Sequence, residues 1–91
     1  MPIIKYSDVD DAIDRANATH YGLGGSVWSK DLDKAKEIAL QIETGTAWIN
    51  KHLDFGPNVP FGGAKQSGIG VEFSLEGLQE FTQVRVVNQA K

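Results

Sequence analysis

The stretch Ser26-Val27-Trp28-Ser29, followed by Asp31 and the apolar series Leu32, Ala35, Ile38, Ala39 and Ile42, and closed by Gly45-Thr46-Ala47-Trp48-Ile49-Asn50, decides the fold. Its ends read as strands. Between them the apolar residues recur at steps of three and four, which puts them on one face of a helix. Asp31 stands where a side-chain oxygen can cap that helix, and Gly45 stands where a helix-ending glycine belongs. A strand, a helix and a second strand joined by short connections imply a right-handed crossover and a parallel sheet. The apolar stripe itself is read as core packing.

Working outward, Pro2 to Tyr6 is a short apolar strand. Ser7 offers a helix cap, and Asp8 and Asp10 put negative charge in the first turn, where the macrodipole favours it. Val9, Ala12, Ile13 and Ala16 predict an amphipathic helix over residues 8–18, ended by the polar run Asn17 to Gly22. On the other side, residues 51–70 contain Pro57, Pro60 and five glycines and are a long loop, ordered or disordered. Loops of this length in compact domains are often functional. Ser74 is the expected cap of a short third helix carrying Leu75, Leu78 and Phe81. Thr82 to Asn88 reads as a closing strand, with Val84 and Val86 on one face and Arg85 and Val87 on the other. The expected fold class is therefore α/β, a partial doubly wound parallel sheet in the order β-α-β-α-β, a long loop, a short helix and a terminal strand.

Composition narrows the function classes. At 91 residues the chain is one small domain or part of a larger one. A net charge of -3 with scattered lysines and arginines argues against a nucleic-acid partner. The chain has no cysteine, which removes disulfides, zinc thiolates and thiol nucleophiles together and fits a cytoplasmic location. Apolar runs of a few residues leave nothing to span a membrane, and the start Met1-Pro2-Ile3-Ile4-Lys5 has no signal-peptide pattern.

Taken alone, the residues assemble no complete active site. Gly22-Leu23-Gly24-Gly25 lies between a helix and a strand, the reverse of a phosphate-cradling turn, and Gly68-Ile69-Gly70 has Phe73 where a third glycine should be. Both read as turns. His20 and His52 are far apart in sequence with no second ligand at metal-binding spacing, so no metal is expected. Ser67 in Gln66-Ser67-Gly68 lacks the preceding glycine and strand of a nucleophile elbow. Asp10 with Asp11, and Glu76 with Glu80, read as solvated charge on helix faces.

Three stretches in order carry a resemblance: Asn17-Ala18-Thr19-His20-Tyr21-Gly22-Leu23; Gly45-Thr46-Ala47-Trp48-Ile49-Asn50; and Pro60-Phe61-Gly62-Gly63-Ala64-Lys65-Gln66-Ser67-Gly68-Ile69-Gly70. Together, at these intervals, they resemble the C-terminal region of the aldehyde dehydrogenase superfamily. The opening Pro2-Ile3-Ile4 and the tail Gly77-Leu78-Gln79-Glu80-Phe81-Thr82 are similar to that family as well. The resemblance implies an NAD(P)+-dependent reaction in the full-length family. A cysteine thiolate attacks the aldehyde, a hydride passes to NAD or NADP, and a glutamate-activated water releases the carboxylate. In that family those groups, and the Rossmann domain, lie upstream of the segment matched here. The resemblance therefore implies that this chain alone is inactive and binds no cofactor by itself.

Residue roles follow from the resemblance. Residues 1–81 correspond to the C-terminal part of the catalytic domain, and residues 82–91 to a bridging or oligomerisation strand. Phe55 and Phe61 match positions that wall the substrate pocket, against the plainer reading of core packing. Leu23 and Phe61 match positions near the nicotinamide end of the cofactor. Asn50 resembles a strand-ending asparagine that fixes the following loop. Gly62, Gly63, Gly68 and Gly70 resemble turn glycines at positive φ. Lys65 is a loop-fixing charge without a catalytic role. Implied partners are further copies in a homo-oligomer, or the missing N-terminal part of the same enzyme. The aldehyde itself belongs to the full-length family. The alternative is a non-catalytic interaction module that self-associates or docks on a full-length relative.

Overall fold

A computed structural model describes residues 1–91. Its elements are α1 (Val9–Asn17), β1 (Tyr21–Gly22), β2 (Gly24–Val27), α2 (Leu32–Ala39), β3 (Thr46–Ile49), β4 (Phe61–Gly62), β5 (Ala64–Lys65), β6 (Val71–Glu72) and α3 (Ser74–Gln79). The centre is β2–α2–β3. The two strands run parallel, with Gly24 opposite Thr46, Gly25 opposite Ala47, Ser26 opposite Trp48 and Val27 opposite Ile49. Asp31 caps α2 by accepting the Lys34 N–H at 3.0 Å. The helix turns Ala35 and Ala39, both buried, toward the strands. Small side chains at this contact let helix and sheet approach closely. Ile13 of α1 and Trp48 of β3 complete the short roster of buried large apolar side chains.

Several sequence expectations shift by a residue or two. Asp8, not Ser7, caps α1, accepting the Asp10 N–H at 3.2 Å. Strand β2 begins at Gly24 and ends at Val27 instead of spanning Ser26 to Ser29, because its partner Thr46 pairs as far back as Gly24. Ser74 is the first residue of α3 and not its cap. The cap position falls to Phe73, at φ 62°, with no side-chain capping bond.

The parallel sheet is less extensive than expected. It consists of the β2–β3 pair, and the other two ladders are antiparallel: β1 with β5, and β4 with β6. Pro2 to Tyr6 and Thr82 to Asn88 form no strand. A strand is defined by its partner, and neither segment has one within this chain. Residues 51–70, expected as a loop, hold β4 and β5. The α/β class stands.

Only six of 91 residues are buried. The radius of gyration is 17.7 Å, against about 12 Å for a compact chain of this length. Ile3, Ile4, Val84, Val86 and Val87 are all largely exposed, so the two terminal segments contribute to no core here. No helix is long and apolar enough to cross a membrane.

Backbone crossings without intervening side chains join the ladders. The Gly45 N–H donates to the Gly22 carbonyl at 2.9 Å. A Cβ on Gly45 would collide with the Gly62 carbonyl oxygen, and one on Gly22 with the Glu43 carbonyl oxygen. Gly45→Ala is therefore expected to cost roughly 1–3 kcal/mol or to prevent folding, by overpacking against backbone that cannot rotate away. Gly56→Ala, whose Cβ would meet nothing nearer than Val59 Cγ2 at 3.9 Å, should stay within about 0.5 kcal/mol. Urea midpoints of the two variants check the contrast.

Candidate functional site

The crossing that joins the ladders also builds a cleft. Gly22 of β1 pairs with Ala64 of β5, which brings Leu23 to the glycine-rich segment 62–70. Phe61 and Gly62 of β4 pair with Glu72 and Val71 of β6. Between them lies an open cleft of about 680 Å³, walled by Leu23, Phe61, Gly62, Gly63, Gly68 and Gly70, with Ser67, Phe73, Leu78 and Phe81 among its other lining residues. This volume suits a small molecule. Its charged lining residues are Glu72 and Glu80, and no lysine or arginine faces it. The wall is thus mostly apolar side chain and glycine backbone, with its only formal charge negative.

The four glycines reach this wall by different physics. Gly68 and Gly70 have φ of 133° and 86° and occupy backbone space that side chains rarely enter. Gly62 and Gly63, expected in the same class, do not have positive φ. They are glycines because of close approach: a Cβ would lie 2.7 Å from Val71 Cγ1 at Gly62 and 2.6 Å from Ser67 Cβ at Gly63.

An aromatic cluster backs the cleft. Phe55 meets Phe61 edge to face at 4.6 Å, and Trp48 meets Phe55 at 5.7 Å. Edge-to-face pairs contribute about 0.5–1.5 kcal/mol each beyond burial. Phe55 is still 44% exposed, so its ring is not enclosed as a core residue's would be. Phe61 thus touches both features, whereas Phe55 lies in the cluster and does not line the cleft.

Sequence reading did not single out what holds the cluster. The Trp48 indole N–H donates to the Asp54 carbonyl at 2.9 Å, fixing the residue before Phe55. Asp54 also pairs with Lys51 through its carboxylate. His52 Nδ1 shares a 2.6 Å hydrogen bond with Ser26 Oγ and sits edge-on to Trp48, so it is engaged with β2 instead of standing free in the loop. Asn50, at φ 54°, accepts the Ser29 N–H and donates to the Ser29 carbonyl, both at 2.8 Å. It grips the segment after β2, not the loop that follows it. A tryptophan ending an apolar strand offers one sequence hint of such an anchor, since a buried indole needs an acceptor.

Lys65 and Ser67 tie the cleft to α1. Lys65 Nζ donates to the carbonyls of Asn17 and Thr19 at 2.7 and 3.3 Å and pairs with Glu43 at 2.6 Å. Ser67 Oγ accepts the Gly22 N–H at 2.8 Å, so this hydroxyl is occupied as an acceptor from backbone. Beyond the cleft, the Ser74 hydroxyl donates to the Glu76 carboxylate and holds its pKa below the usual value. Because the folded pKa is depressed, that support for α3 is present at neutral pH and is lost as pH falls through the lowered value. No group of His, Asp and Glu is arranged to hold a metal ion.

The geometry gives an open, glycine-walled cleft on an α/β scaffold. Comparison with known proteins places the scaffold. The family model for the aldehyde dehydrogenase family matches residues 1–87, and the chain belongs to that family. It is 45% identical over 85 residues to a succinate-semialdehyde dehydrogenase [NADP(+)] from Deinococcus radiodurans, covering 93% of this chain and 18% of that protein. It is 44% identical over 87 residues to a mitochondrial aldehyde dehydrogenase from Rattus norvegicus, covering 96% of this chain and 17% of that one. Among solved structures, an aldehyde dehydrogenase from Mycobacterium tuberculosis complexed with NAD+ superposes with a TM-score of 0.81 at 51% identity, over 86% of this chain and 16% of that one. The chain thus spans less than a fifth of the length of these relatives.

Trp48→Phe keeps a ring at the buried position but leaves the Asp54 carbonyl without its donor. The expected cost is about 1 kcal/mol, with faster amide exchange confined to residues 51–56. Asn50→Ala removes two hydrogen bonds and leaves a Cβ residue at positive φ, for an expected loss of roughly 2 kcal/mol. Asn50→Gly, which relieves the φ penalty, should recover part of it, as read by thermal melts.

Proposed function

We propose that this chain is the C-terminal portion of an NAD(P)+-dependent aldehyde dehydrogenase that oxidises an aldehyde to a carboxylate. The observation that carries the reading is the meeting of Leu23 and Phe61 in one glycine-walled, cation-free cleft, from stretches 38 residues apart in sequence (61 − 23). In this reading residues 1–81 finish the catalytic domain. Phe55 and Phe61 wall the aldehyde pocket, and Leu23 and Phe61 face the nicotinamide end of NAD or NADP. The cleft's lack of a lysine or arginine supports a chain that meets the nicotinamide end of a dinucleotide whose phosphates are held elsewhere.

The chain has no cysteine. The covalent step of the family needs a thiolate to form a thiohemiacetal with the aldehyde carbon, and hydride transfer follows from that adduct. The chain therefore supplies shape, exclusion of water and backbone rigidity, and is inactive and cofactor-free by itself. The parallel pair β2–β3 is the part of a doubly wound sheet that this chain closes alone; Pro2 to Tyr6 joins it once neighbouring strands are supplied. Residues 82–91 act as a bridging strand between subunits of a homo-oligomer, an assignment supported by the exposure of Val84 and Val86. In the same reading the chain works in the cytoplasm.

A second reading has its own observation. The uncovered Ile3, Ile4, Val84, Val86 and Val87 suit a non-catalytic module that self-associates or docks on a full-length relative. Light scattering after size exclusion separates the two, since a monodisperse monomer removes the module.

The enzyme reading makes two measurable statements. The isolated chain yields no NAD(P)H from any simple aldehyde. Placed in the Mycobacterium tuberculosis enzyme in exchange for the matching segment, it supports turnover, and Phe61→Ala in that background lowers kcat/KM by roughly ten-fold or more, the loss expected for an aromatic wall residue. Turnover by the isolated chain, or an inactive but folded exchange enzyme, overturns the reading.

A further inference from the structure

We propose that Lys65 and Ser67 form a clamp that positions Leu23, making them positioning residues for the dinucleotide and not for the aldehyde. The inference rests on the reading of Leu23 as cofactor-facing and deepens it. The segment 17–22 is held at successive points by residues 65–67. Lys65 Nζ takes the carbonyls of Asn17 and Thr19, the Gln66 N–H donates to the His20 carbonyl at 2.9 Å, Tyr21 pairs with Lys65 across the ladder, and Ser67 Oγ receives the Gly22 N–H. The last of these bonds ends on the residue before Leu23. Lys65 adopts φ 55°, and its side chain is 24% exposed, so its ammonium sits in a partly desolvated place where two carbonyls and the Glu43 carboxylate satisfy all three protons. Glu43 is in turn fixed at its backbone, where its N–H donates to Asn17 Oδ1 at 2.9 Å.

The aromatic cluster is held by separate bonds. Trp48 fixes Asp54 and so Phe55, and shares no hydrogen bond with the clamp. Two separate sets of hydrogen bonds thus act on two sides of one site. Loosening the clamp frees residues 17–22 from residues 65–67 but leaves the Gly45–Gly22 and Thr46–Leu23 backbone bonds, so the side chain of Leu23 shifts by a small displacement of its turn while the Phe55–Phe61 contact stays; loosening the Trp48 anchor moves the Phe55 side instead. A residue that merely supports the fold would not separate the two sides.

The test uses the full-length enzyme formed by placing this chain in the matching segment of the Mycobacterium tuberculosis relative. Ser67→Ala is expected to raise KM for the dinucleotide roughly five-fold, the effect of one lost hydrogen bond, with KM for the aldehyde within about two-fold. Ser67→Thr, which keeps the hydroxyl, should restore the dinucleotide value. Lys65→Met moves the same parameter further, and Trp48→Phe shifts the aldehyde KM instead. Should Ser67→Ala or Lys65→Met fail to fold, Glu43→Gln, altered on the exposed partner, gives the same direction with a smaller change. Equal movement of both KM values, no movement of either, or no rescue by Ser67→Thr overturns the clamp. An unsubstituted exchange enzyme that folds but is inactive overturns the underlying reading and the clamp with it.

Discussion

The structure depends on backbone passing against backbone at Gly22, Gly45 and Gly62. Gly45 donates to the Gly22 carbonyl and lies so close to the Gly62 carbonyl that a single added carbon has no room. Three segments distant in sequence are held in register by this crossing, and each contributes something different to the site. The first carries Leu23, the second ends in Trp48 and Asn50, and the third carries Phe61 and the glycines beyond it. The strands pass so close that neither has room to shift against the other, and this close fit makes the crossing stiff.

That stiffness matters because so little else holds the chain together. Ala35, Ala39, Ile13 and Trp48 are the buried apolar side chains, and a core of that size supplies only a small part of the burial a domain normally needs. The remaining order comes from directed polar bonds: Asn50 to Ser29, Asn17 to Gln41 and Glu43, Lys65 to the end of α1, and Ser67 to Gly22. Each sits at the end of an element and determines where the next segment departs. The cleft wall is therefore held by directed bonds at the ends of its segments and not by a deep core behind it.

The cleft and the cluster share Phe61 and Phe73, both of which line the cleft and lie against Phe55. On one side are glycines and Leu23, with two carboxylates and no cation; on the other are Trp48, Phe55 and His52, fixed to the loop 51–55. The two features thus meet on the Phe61 side, with different chemistry to either side of it.

Much of this was legible in the amino-acid order. The buried Ala35 and Ala39 of α2, the cap at Asp31 and the strand up to Ile49 follow from local rules of helix and strand, and the α/β class follows from their order; Leu32, read into the same core stripe, is exposed, and Ile42 lies beyond the helix. That the chain has no cysteine is likewise read directly from its order of residues. Other features were beyond local rules. Whether Pro2–Tyr6 and Thr82–Asn88 are strands depends on partners, because a ladder is a property of two segments. The split of residues 61–72 into two antiparallel ladders, the close-approach role of Gly62 and Gly63, and the grip of Lys65 and Ser67 on residues 17–22 all arise from contacts between segments more than forty residues apart or from the exact line of a backbone. Periodicity and composition record what each residue prefers near its neighbours; only the tertiary structure records which distant backbone it must make room for.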